Sequence, residues 1–263
     1  MCYETDARPP VPPMSGGAGS GKRIILRADD GNEFRAFTAT SDAPHASGVV
    51  ILPDVRGLHS FYEELADLFS GAGVHATAID YFGRTAGVGD RGDEFDHAPH
   101  VAQTTPDTVA LDVAAAVEHL RSEAGGRAEA VFTVGFCFGG RASFNQAARR
   151  HGLAGVIGFY GRVAPRDPGD DDAPVLLARA FACPVLGLFG GADPSITTED
   201  RDSFRETLDR SGVPNELVVY DGAPHSFFDR TFKEHREACD DAWARVLGFI
   251  ETHAERAVTR SDP

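Results

Sequence analysis

A cysteine lies at the centre of the stretch best suited to covalent chemistry. Residues 131–140 read VFTVGFCFGG, an apolar run of β-type residues that ends in a Gly-x-Cys-x-Gly-Gly turn. Such a turn between a strand and a helix forms a nucleophile elbow, because small residues two positions away relieve the crowding around one exposed side chain. That side chain is Cys137, and the N-terminus of the following helix would favour its thiolate. The pattern also fits a glycine-rich turn with an unreactive buried cysteine, so the downstream partners carry the argument.

A cysteine nucleophile needs a base, and the base needs an acid that orients it. Asp193 follows the apolar run 183–190, and His225 follows the strand-like run 215–220. Each would lie in a loop just past the carboxyl end of a strand. A lone Asp or His in a loop is usually turn chemistry or a surface residue. However, nucleophile, acid and histidine in this order are typical of the α/β-hydrolase fold, and they favour a triad with Cys137.

Five segments resemble the dienelactone hydrolase family, the cysteine-nucleophile branch of the α/β-hydrolases. They are VVILPDVRGL at 49–58, AIDYFGR at 78–84, GFCFGG at 135–140, GGAD at 190–193 and APHSF at 223–227. The resemblance covers roughly residues 22 to 252, and the cysteine, aspartate and histidine are specific to the family. It implies an α/β-hydrolase fold, the triad, and hydrolysis of an ester or lactone, as in a carboxymethylenebutenolidase. It leaves the substrate open.

The resemblance also implies roles for the turn after the predicted strand 48–53. In the family an acidic residue in this turn pairs with the resting nucleophile and helps to control its ionisation. Asp54 occupies this place where the family usually has the longer glutamate. The alternative is that Asp54 caps the following helix, and the functional role is the favoured interpretation. The same turn implies an oxyanion hole formed by the backbone N–H groups of Val55 and Phe138.

The segment 82–106 is rich in glycine and charged residues, and we expect it to form a lid or pocket wall. In the family, arginines bind a substrate carboxylate. The candidates here are Arg84, Arg91 and Arg230, and Phe95 stands where the family has a tyrosine four residues after an arginine. All three arginines could instead be surface charges, so recognition of a substrate carboxylate stays open.

Cysteine chemistry narrows the reaction. A thiolate is a better leaving group than an amine or a strongly basic alkoxide. The adducts that it forms with amides and plain alkyl esters therefore tend to expel the thiolate again and revert to the starting substrate. The predicted substrates are therefore small activated esters, enol-lactones and thioesters, cleaved through an acyl-cysteine intermediate. Three alternatives remain: an acyltransferase with the same triad, a general carboxylesterase or thioesterase, and a non-catalytic protein that binds a small ligand.

Composition limits the other classes of function. With 263 residues, 42% of them apolar, the chain can bury one large core. The net charge of −15 argues against nucleic-acid and membrane partners. Four cysteines without CxxC spacing argue against a disulfide framework, and the N-terminus lacks the apolar core of a signal peptide. We expect a cytoplasmic protein that is a monomer or a small homo-oligomer.

Two patterns could indicate a cofactor or a metal, and neither is convincing. Residues 16–22 match the phosphate-loop spacing G-x-x-x-x-G-K, but Arg23 replaces the required Ser or Thr and no strand precedes the motif. His97 and His100 form an HxxH pattern in a loop without a third well-spaced ligand. We therefore predict neither a cofactor nor a metal.

Strand-like and helix-like patterns alternate along the chain, which predicts an α/β-hydrolase fold with a mostly parallel central sheet and helices on both faces. Strands are predicted at 22–28, 33–39, 48–53, 74–79, 130–135, 154–160, 183–190 and 215–220. Helices are predicted near 59–71, 107–123, 138–150, 198–211 and 235–254. The first two strands should form an antiparallel hairpin at the sheet edge. The predicted domain spans residues 22–256, between a Pro/Gly-rich arm at 1–21 and a tail at 257–263.

Overall fold

The computed structural model describes residues 7–12, 21–43, 46–92, 94–229 and 231–261, with the backbone alone beyond residue 255. An eight-stranded sheet forms its centre, in the order β1-β2-β4-β3-β5-β6-β7-β8. The strands are β1 (Lys22–Arg27), β2 (Glu33–Ala39), β3 (Gly48–Leu52), β4 (His75–Ile79), β5 (Val131–Phe136), β6 (Gly155–Phe159), β7 (Val185–Gly190) and β8 (Asn215–Tyr220). Strands β3 to β8 are parallel, and β2 is antiparallel to both β1 and β4. The predicted parallel sheet with an antiparallel hairpin at its edge is confirmed.

Eight α-helices connect or flank the strands within the described residues. They are α1 (Ser60–Gly71), α2 (Gly83–Ala86), α3 (Ala98–Val101), α4 (Pro106–Arg121), α5 (Phe138–Gln146), α6 (Pro174–Leu177), α7 (Thr198–Arg210) and α8 (Arg236–Ser261). The three helices that the sequence did not predict have four residues each, too few to show a helical period. Helix α8 continues past residue 256, where we placed the end of the domain. None of these helices is long and apolar enough to cross a membrane.

The side chains of β3 show how the core is divided. Val49 and Ile51 pack in one apolar cluster, whereas Val50 and Leu52 pack in another. Because successive side chains of a strand point to opposite faces, the two clusters lie on opposite faces of the sheet. Helices α1 and α8 contribute to the first cluster, and α4 contributes to the second. The helices on both faces bury the sheet, and the loops that follow the strands lie along its carboxyl edge.

Part of the predicted N-terminal arm packs against the domain. Pro9, Pro10 and Pro12 are buried. The indole Nε1 of Trp243 in α8 donates a hydrogen bond to the carbonyl oxygen of Pro10 at 2.8 Å. The described residues 7–12 are therefore tied to the last helix.

Two glycines allow β5, α5 and the end of β3 to approach one another around Cys137. A Cβ atom on Gly135 would lie 1.9 Å from the carbonyl oxygen of Gly139. A Cβ atom on Gly139 would lie 2.0 Å from the carbonyl oxygen of Leu52. Both obstacles are backbone atoms of buried elements, which cannot rotate away as a side chain can.

We expect Gly135→Ala to lower the free energy of unfolding by at least about 2 kcal/mol, because the methyl group overpacks the elbow. Gly248→Ala in α8 is the matched control, since a Cβ there meets nothing within 4 Å. It should raise the free energy of unfolding by about 0.5–1 kcal/mol through helix propensity. Urea denaturation measures both values, and a neutral Gly135→Ala variant would contradict this account of the elbow.

Candidate active site

Cys137 sits between β5 and α5 in a strained backbone conformation, with φ 55° and ψ −110°. Such a sparsely populated backbone conformation costs a residue with a side chain about 1–3 kcal/mol. The conformation is held from both sides. The N–H of Cys137 donates to the carbonyl oxygen of Phe159 in β6 at 3.0 Å, and its own carbonyl accepts from the N–H of Arg141 at 3.2 Å. The partly exposed side chain therefore projects at the N-terminus of α5, as the elbow pattern predicts.

Strained residues are concentrated around this turn. In the described part of the chain, four residues other than glycine have a positive φ: Arg127, Cys137, Tyr160 and Ser226. Tyr160 directly follows β6, whose last residue holds Cys137, and Ser226 directly follows His225. Such conformations persist where the surrounding structure enforces them, and they cluster at functional sites.

Asp193 lies in the loop after β7, and its side chain is fully enclosed. Its Oδ2 lies 2.6 Å from Nδ1 of His225. Its Oδ1 accepts hydrogen bonds from the N–H of Ser195 at 2.8 Å and from the hydroxyl of Ser195 at 2.6 Å. Burial alone would raise the pKa of Asp193, but the hydrogen bonds from His225 and Ser195 lower it below its usual value. The carboxylate is thus ionised and fixed through both oxygens.

His225 lies in the loop after β8 and is hydrogen-bonded to both Asp193 and Cys137. Burial would lower its pKa. The hydrogen bonds to Asp193 and Cys137 and the negative charges of these groups outweigh burial and raise the pKa to about 10. The structure therefore brings the three residues of the predicted triad into one hydrogen-bonded chain, in which the imidazole is protonated at neutral pH.

Asp54 is buried in the turn after β3, as expected from its position in the sequence. Its Oδ1 accepts from the N–H of Arg56 at 2.9 Å, and its own N–H donates to the hydroxyl of Tyr62 at 2.9 Å. The alternative of helix capping does not apply to α1, whose N-cap residue is His59. Burial raises the pKa of Tyr81, and the negative charges of Asp54, Asp80 and Cys137 raise it further. The hydroxyl of Tyr81 donates to the carbonyl oxygen of Pro53, the neighbour of Asp54, at 2.8 Å.

The two residues whose backbone N–H groups are predicted to bind an oxyanion follow Cys137 and Asp54 directly in the chain. Phe138 is the first residue of α5, where a backbone N–H has no acceptor within the helix. Its ring meets the ring of Tyr81 edge-on at a centroid distance of 5.3 Å. Val55 lies in the turn after β3, next to Asp54, and is half-buried.

The predicted substrate-binding arginine Arg84 binds carboxylates of the protein itself. Its Nη2 lies 2.8 Å from Oδ1 of Asp112, and its Nη1 binds the more exposed Asp30. Asn32 also donates to Asp112, at 3.0 Å. Burial raises the pKa of Asp112 to about 6, although Asn32 and Arg84 oppose the shift. About 20% of the Arg84 side chain remains exposed.

The second predicted arginine, Arg91, is enclosed, with 3% of its side chain exposed. Its Nη2 lies 2.7 Å from Oδ2 of Asp80, and it also donates to the carbonyl oxygen of Gly87 at 2.6 Å. The other carboxylate oxygen of Asp80 accepts from the N–H of Leu58 at 3.3 Å. The Asp80–Arg91 pair therefore joins the predicted pocket wall to the turn that follows β3.

Of the other two predicted substrate-binding residues, Phe95 is among the residues that the structure describes and Arg230 is not. The ring of Phe95 stacks on the ring of His100, with 5.0 Å between the ring centres. The guanidinium of Arg91 lies 4.8 Å from the centre of the Phe95 ring. Phe95 thus helps to hold the segment 82–106 together. Arg230 lies outside the described residues.

The imidazole of His100, part of the HxxH pattern, is engaged within the segment 82–106. Its Nδ1 lies 2.9 Å from the hydroxyl of Thr85. Over the ranges that the structure describes, no group of three or more His, Cys, Asp and Glu residues is arranged to hold a metal ion.

Sequence reasoning missed a buried pair beside the triad. The hydroxyl of Tyr160 donates to Oδ2 of Asp229 at 3.0 Å, and the ring of Tyr160 lies 5.0 Å from the ring of His225. Both residues are almost fully buried. Tyr160 follows the carboxyl end of β6, the same kind of position that pointed to Asp193. That signal could have identified it.

Comparisons with known proteins place the chain among hydrolases. The model of the dienelactone hydrolase family matches residues 34–254. A Yersinia pestis protein provisionally named carboxymethylenebutenolidase is 28% identical over 233 residues, which cover 87% of this chain and 87% of the relative. A Bradyrhizobium protein named as a probable 2-oxo-3-(5-oxofuran-2-ylidene)propanoate lactonase is 27% identical over 212 residues, or 78% of this chain and 83% of the relative.

Solved structures agree on the fold. A crystal structure from Klebsiella pneumoniae, provisionally named a dienelactone hydrolase, has a TM-score of 0.74 and 24% identity. The match covers 88% of this chain and 99% of that one. A dienelactone hydrolase-like phosphotriesterase from metagenomic libraries has a TM-score of 0.72 and 22% identity, and covers 90% of this chain and 99% of its own. The α/β-hydrolase fold predicted from the sequence is confirmed.

We expect Cys137 to react with iodoacetamide at neutral pH at least about ten times faster than the other described cysteines, because the thiolate is the nucleophile. Cys183 and Cys239 are buried, and burial raises the pKa of each to about 12. Peptide mapping by mass spectrometry follows the sites, with the Cys137→Ala variant as the control. Faster labelling of Cys183 or Cys239 would contradict the assignment.

Proposed function

The chain belongs to the dienelactone hydrolase family, and we propose that it hydrolyses small activated esters or lactones through an acyl-cysteine intermediate. The observation that supports this most directly is the hydrogen-bonded chain from Asp193 through His225 to Cys137. It ends at a strained turn that holds the sulfur at a helix N-terminus. This is the arrangement that a nucleophile, a base and an orienting acid require.

In the proposed acylation step, the thiolate of Cys137 attacks the carbonyl carbon of the ester or lactone. The backbone N–H groups of Phe138 and Val55 stabilise the negative charge that develops on the carbonyl oxygen. The imidazolium of His225 then donates its proton to the departing alkoxide as the carbon–oxygen bond breaks. An acyl-cysteine and a neutral imidazole remain.

In the proposed second step, neutral His225 removes a proton from water, and the resulting hydroxide attacks the acyl-cysteine. The carbon–sulfur bond breaks, the acid leaves, and the thiolate–imidazolium pair is restored. Asp193 holds the imidazole through Nδ1 during both steps and stabilises its positive charge. Asp54 is proposed to tune the resting thiolate, since its charge and that of Cys137 act on the same phenol of Tyr81.

We also propose that the enzyme works in a reducing compartment, as expected for a cytoplasmic protein. Cys137, Cys183 and Cys239 are free thiols. A nucleophilic thiol would be lost to oxidation in a disulfide-forming compartment.

The triad is tested by replacing Asp193 with asparagine. We expect kcat for phenyl acetate to fall by at least about 10³-fold, because the imidazole loses its orientation and its charge partner. In the parent enzyme, kcat/KM should decline as pH rises through about 10, where His225 loses the proton that the leaving group needs. In Asp193→Asn this decline should move to lower pH, because the hydrogen bond and charge that raise the pKa of His225 are gone.

Asp221→Asn is the matched control, because Asp221 is an exposed carboxylate near the same histidine in sequence, and its kcat should stay within about twofold, as for other surface substitutions. An unchanged kcat in Asp193→Asn would reject the proposed orienting acid. A single stoichiometric burst without turnover would indicate a non-catalytic binder. Transfer of the acyl group to an added amine or alcohol in preference to water would indicate an acyltransferase.

Recognition of a substrate carboxylate is proposed for Arg84. This side chain keeps part of its surface exposed, and the more exposed of its two partners, Asp30, could give way to a substrate carboxylate. Exchange of one carboxylate for another preserves the charge-assisted hydrogen bonds. Arg91 is enclosed by its pair with Asp80, so we assign it to the support of the pocket wall.

If Arg84 binds a carboxylate, an activated ester with an adjacent carboxylate should have a kcat/KM about 3- to 10-fold above that of its neutral methyl ester. The effect is small because a partly exposed pair contributes only about 1 kcal/mol. Arg84→Ala should erase the preference, whereas Arg179→Ala, at an exposed site elsewhere, should retain it. Equal kcat/KM values for the two substrates in the parent enzyme would indicate that the protein is a general cysteine esterase without carboxylate recognition.

A further inference from the structure

One strand end lies between the elements that carry the candidate triad. Cys137 follows β5, and Asp193 lies in the loop after β7. Strand β6 lies between β5 and β7 in the sheet, and Tyr160 is the residue that directly follows it. Because these strands are parallel, their carboxyl ends meet at one edge of the sheet. In sheet order, Tyr160 therefore lies between the proposed nucleophile and the proposed acid.

The backbone of Tyr160 is held in an unfavourable conformation, with φ 38°. Its N–H donates to the carbonyl oxygen of Leu188 in β7 at 2.8 Å. The preceding residue, Phe159, accepts the hydrogen bond that holds the backbone of Cys137. A positive φ is unusual for a bulky side chain, and it persists where the surrounding structure enforces it. The end of β6 thus fixes both Cys137 and Tyr160.

The ring of Tyr160 packs against the imidazole of His225. The two ring centres are 5.0 Å apart, and the ring planes are inclined at 57°. The same phenol ring lies 6.3 Å from the ring of Phe136 and meets the ring of Phe227 edge-on at 5.7 Å. Tyr160 is fully buried. A ring enclosed on several sides cannot swing away in a close-packed interior, so it limits how far the imidazole can rotate.

The hydroxyl of Tyr160 is anchored in the loop that carries His225. It donates to Oδ2 of Asp229 at 3.0 Å, and Asp229 is buried. The N–H of Asp229 donates to the carbonyl oxygen of Ser226 at 3.2 Å, which closes a turn directly after His225. Tyr160 therefore contacts this loop twice, at the imidazole through its ring and at the end of the turn through its hydroxyl.

The alignment of the imidazole matters because its hydrogen bonds depend on it. Nδ1 of His225 lies 2.6 Å from Oδ2 of Asp193, and the imidazole is also hydrogen-bonded to Cys137. Hydrogen bonds weaken steeply when donor and acceptor are misaligned. Titratable groups thus face His225 from three neighbouring strand ends, namely Cys137 after β5, Tyr160 with its partner Asp229 after β6, and Asp193 after β7.

We propose that Tyr160 is a positioning residue for the hydrolysis, with Asp229 as the anchor of its ring. The ring holds the imidazole of His225 in line between Asp193 and Cys137, and the hydrogen bond to Asp229 holds the ring. Tyr160 acts through His225 and transfers no proton itself. Its effect on turnover rests on the proposed function, whereas its effect on the imidazole can be measured without a substrate.

The first test is an NMR titration of the imidazole of His225 in the full-length protein, with its signal identified by its loss in His225→Gln. Tyr160→Phe keeps the ring and removes the hydroxyl. It should lower the pKa of His225 by at least about 0.5, because the misaligned hydrogen bonds to Asp193 and Cys137 no longer raise that pKa fully.

Tyr220→Phe is the matched control. It removes a similar hydrogen bond, from the hydroxyl of Tyr220 to Oδ2 of Asp241 at 2.9 Å, and keeps the ring that lies 5.0 Å from the ring of Phe227. The pKa of His225 should be unchanged in this variant. A comparable fall in both variants would overturn the proposal, because a general loss of stability would then explain it.

A second variant covers the case in which Tyr160→Phe does not fold. The double variant Tyr160→Phe/Asp229→Leu removes the acceptor together with the donor, so no carboxylate is left buried beside a phenyl ring. It should show the same fall in the pKa of His225, and an unchanged pKa would overturn the proposal.

Turnover gives the second readout. In Tyr160→Phe, kcat for phenyl acetate should fall at least about fivefold while KM changes by less than about twofold, because the misplaced imidazole slows proton transfer and leaves substrate binding intact. Tyr220→Phe should retain both values. An unchanged pKa of His225 or an unchanged kcat in Tyr160→Phe would overturn the proposal. A parent protein without turnover would reject the proposed function instead, and the pKa of His225 would still decide the role of Tyr160.

Discussion

The left-handed backbone at Cys137 is the constraint on which the rest of the site depends. This conformation is unfavourable by about 1–3 kcal/mol for a residue with a side chain, so neighbouring elements must enforce it. They do so through backbone contacts with Phe159 and Arg141 and through the approach of Gly139 to the end of β3. Because β3, β5 and β6 are neighbours in the sheet, the geometry of the turn is set by the fold itself. The backbone of Cys137, the proposed nucleophile, is therefore held by the central strands of the sheet.

The ionisation of the site follows from a competition between burial and hydrogen bonding. Burial favours neutral forms of both Asp193 and His225, but the contacts between them, with Cys137 at one end and Ser195 at the other, reverse both preferences. Each group is stabilised in its charged form by the next one. The loss of one member therefore changes the ionisation of the others, and the chain acts as a unit rather than as three separate residues.

The sequence predicted the elements and pointed to the candidate triad residues because both have local signals. Each strand is a run of apolar residues, and Cys137, Asp193 and His225 each follow such a run at a turn. The pairings of Tyr160 with Asp229 and of Asp80 with Arg91 join residues 69 and 11 positions apart, and no local pattern encodes them. The internal partners of Arg84 were also beyond sequence reasoning, because Asp30 and Asp112 come from a turn and a helix that meet only in the folded sheet. Charge on an arginine is visible in a sequence, whereas its partner is not.

The Asp80–Arg91 pair has a consequence for how the chain can diverge. Both groups are enclosed, so replacement of either one alone strands the other charge in a poorly hydrated interior, a change that typically costs about 3–5 kcal/mol. That loss is a large part of the total stability of an ordinary domain. Descendants that alter one position are therefore expected to be eliminated unless the other changes too. The two sites should drift together among relatives, while the exposed ion pairs of the surface are free to vary one residue at a time.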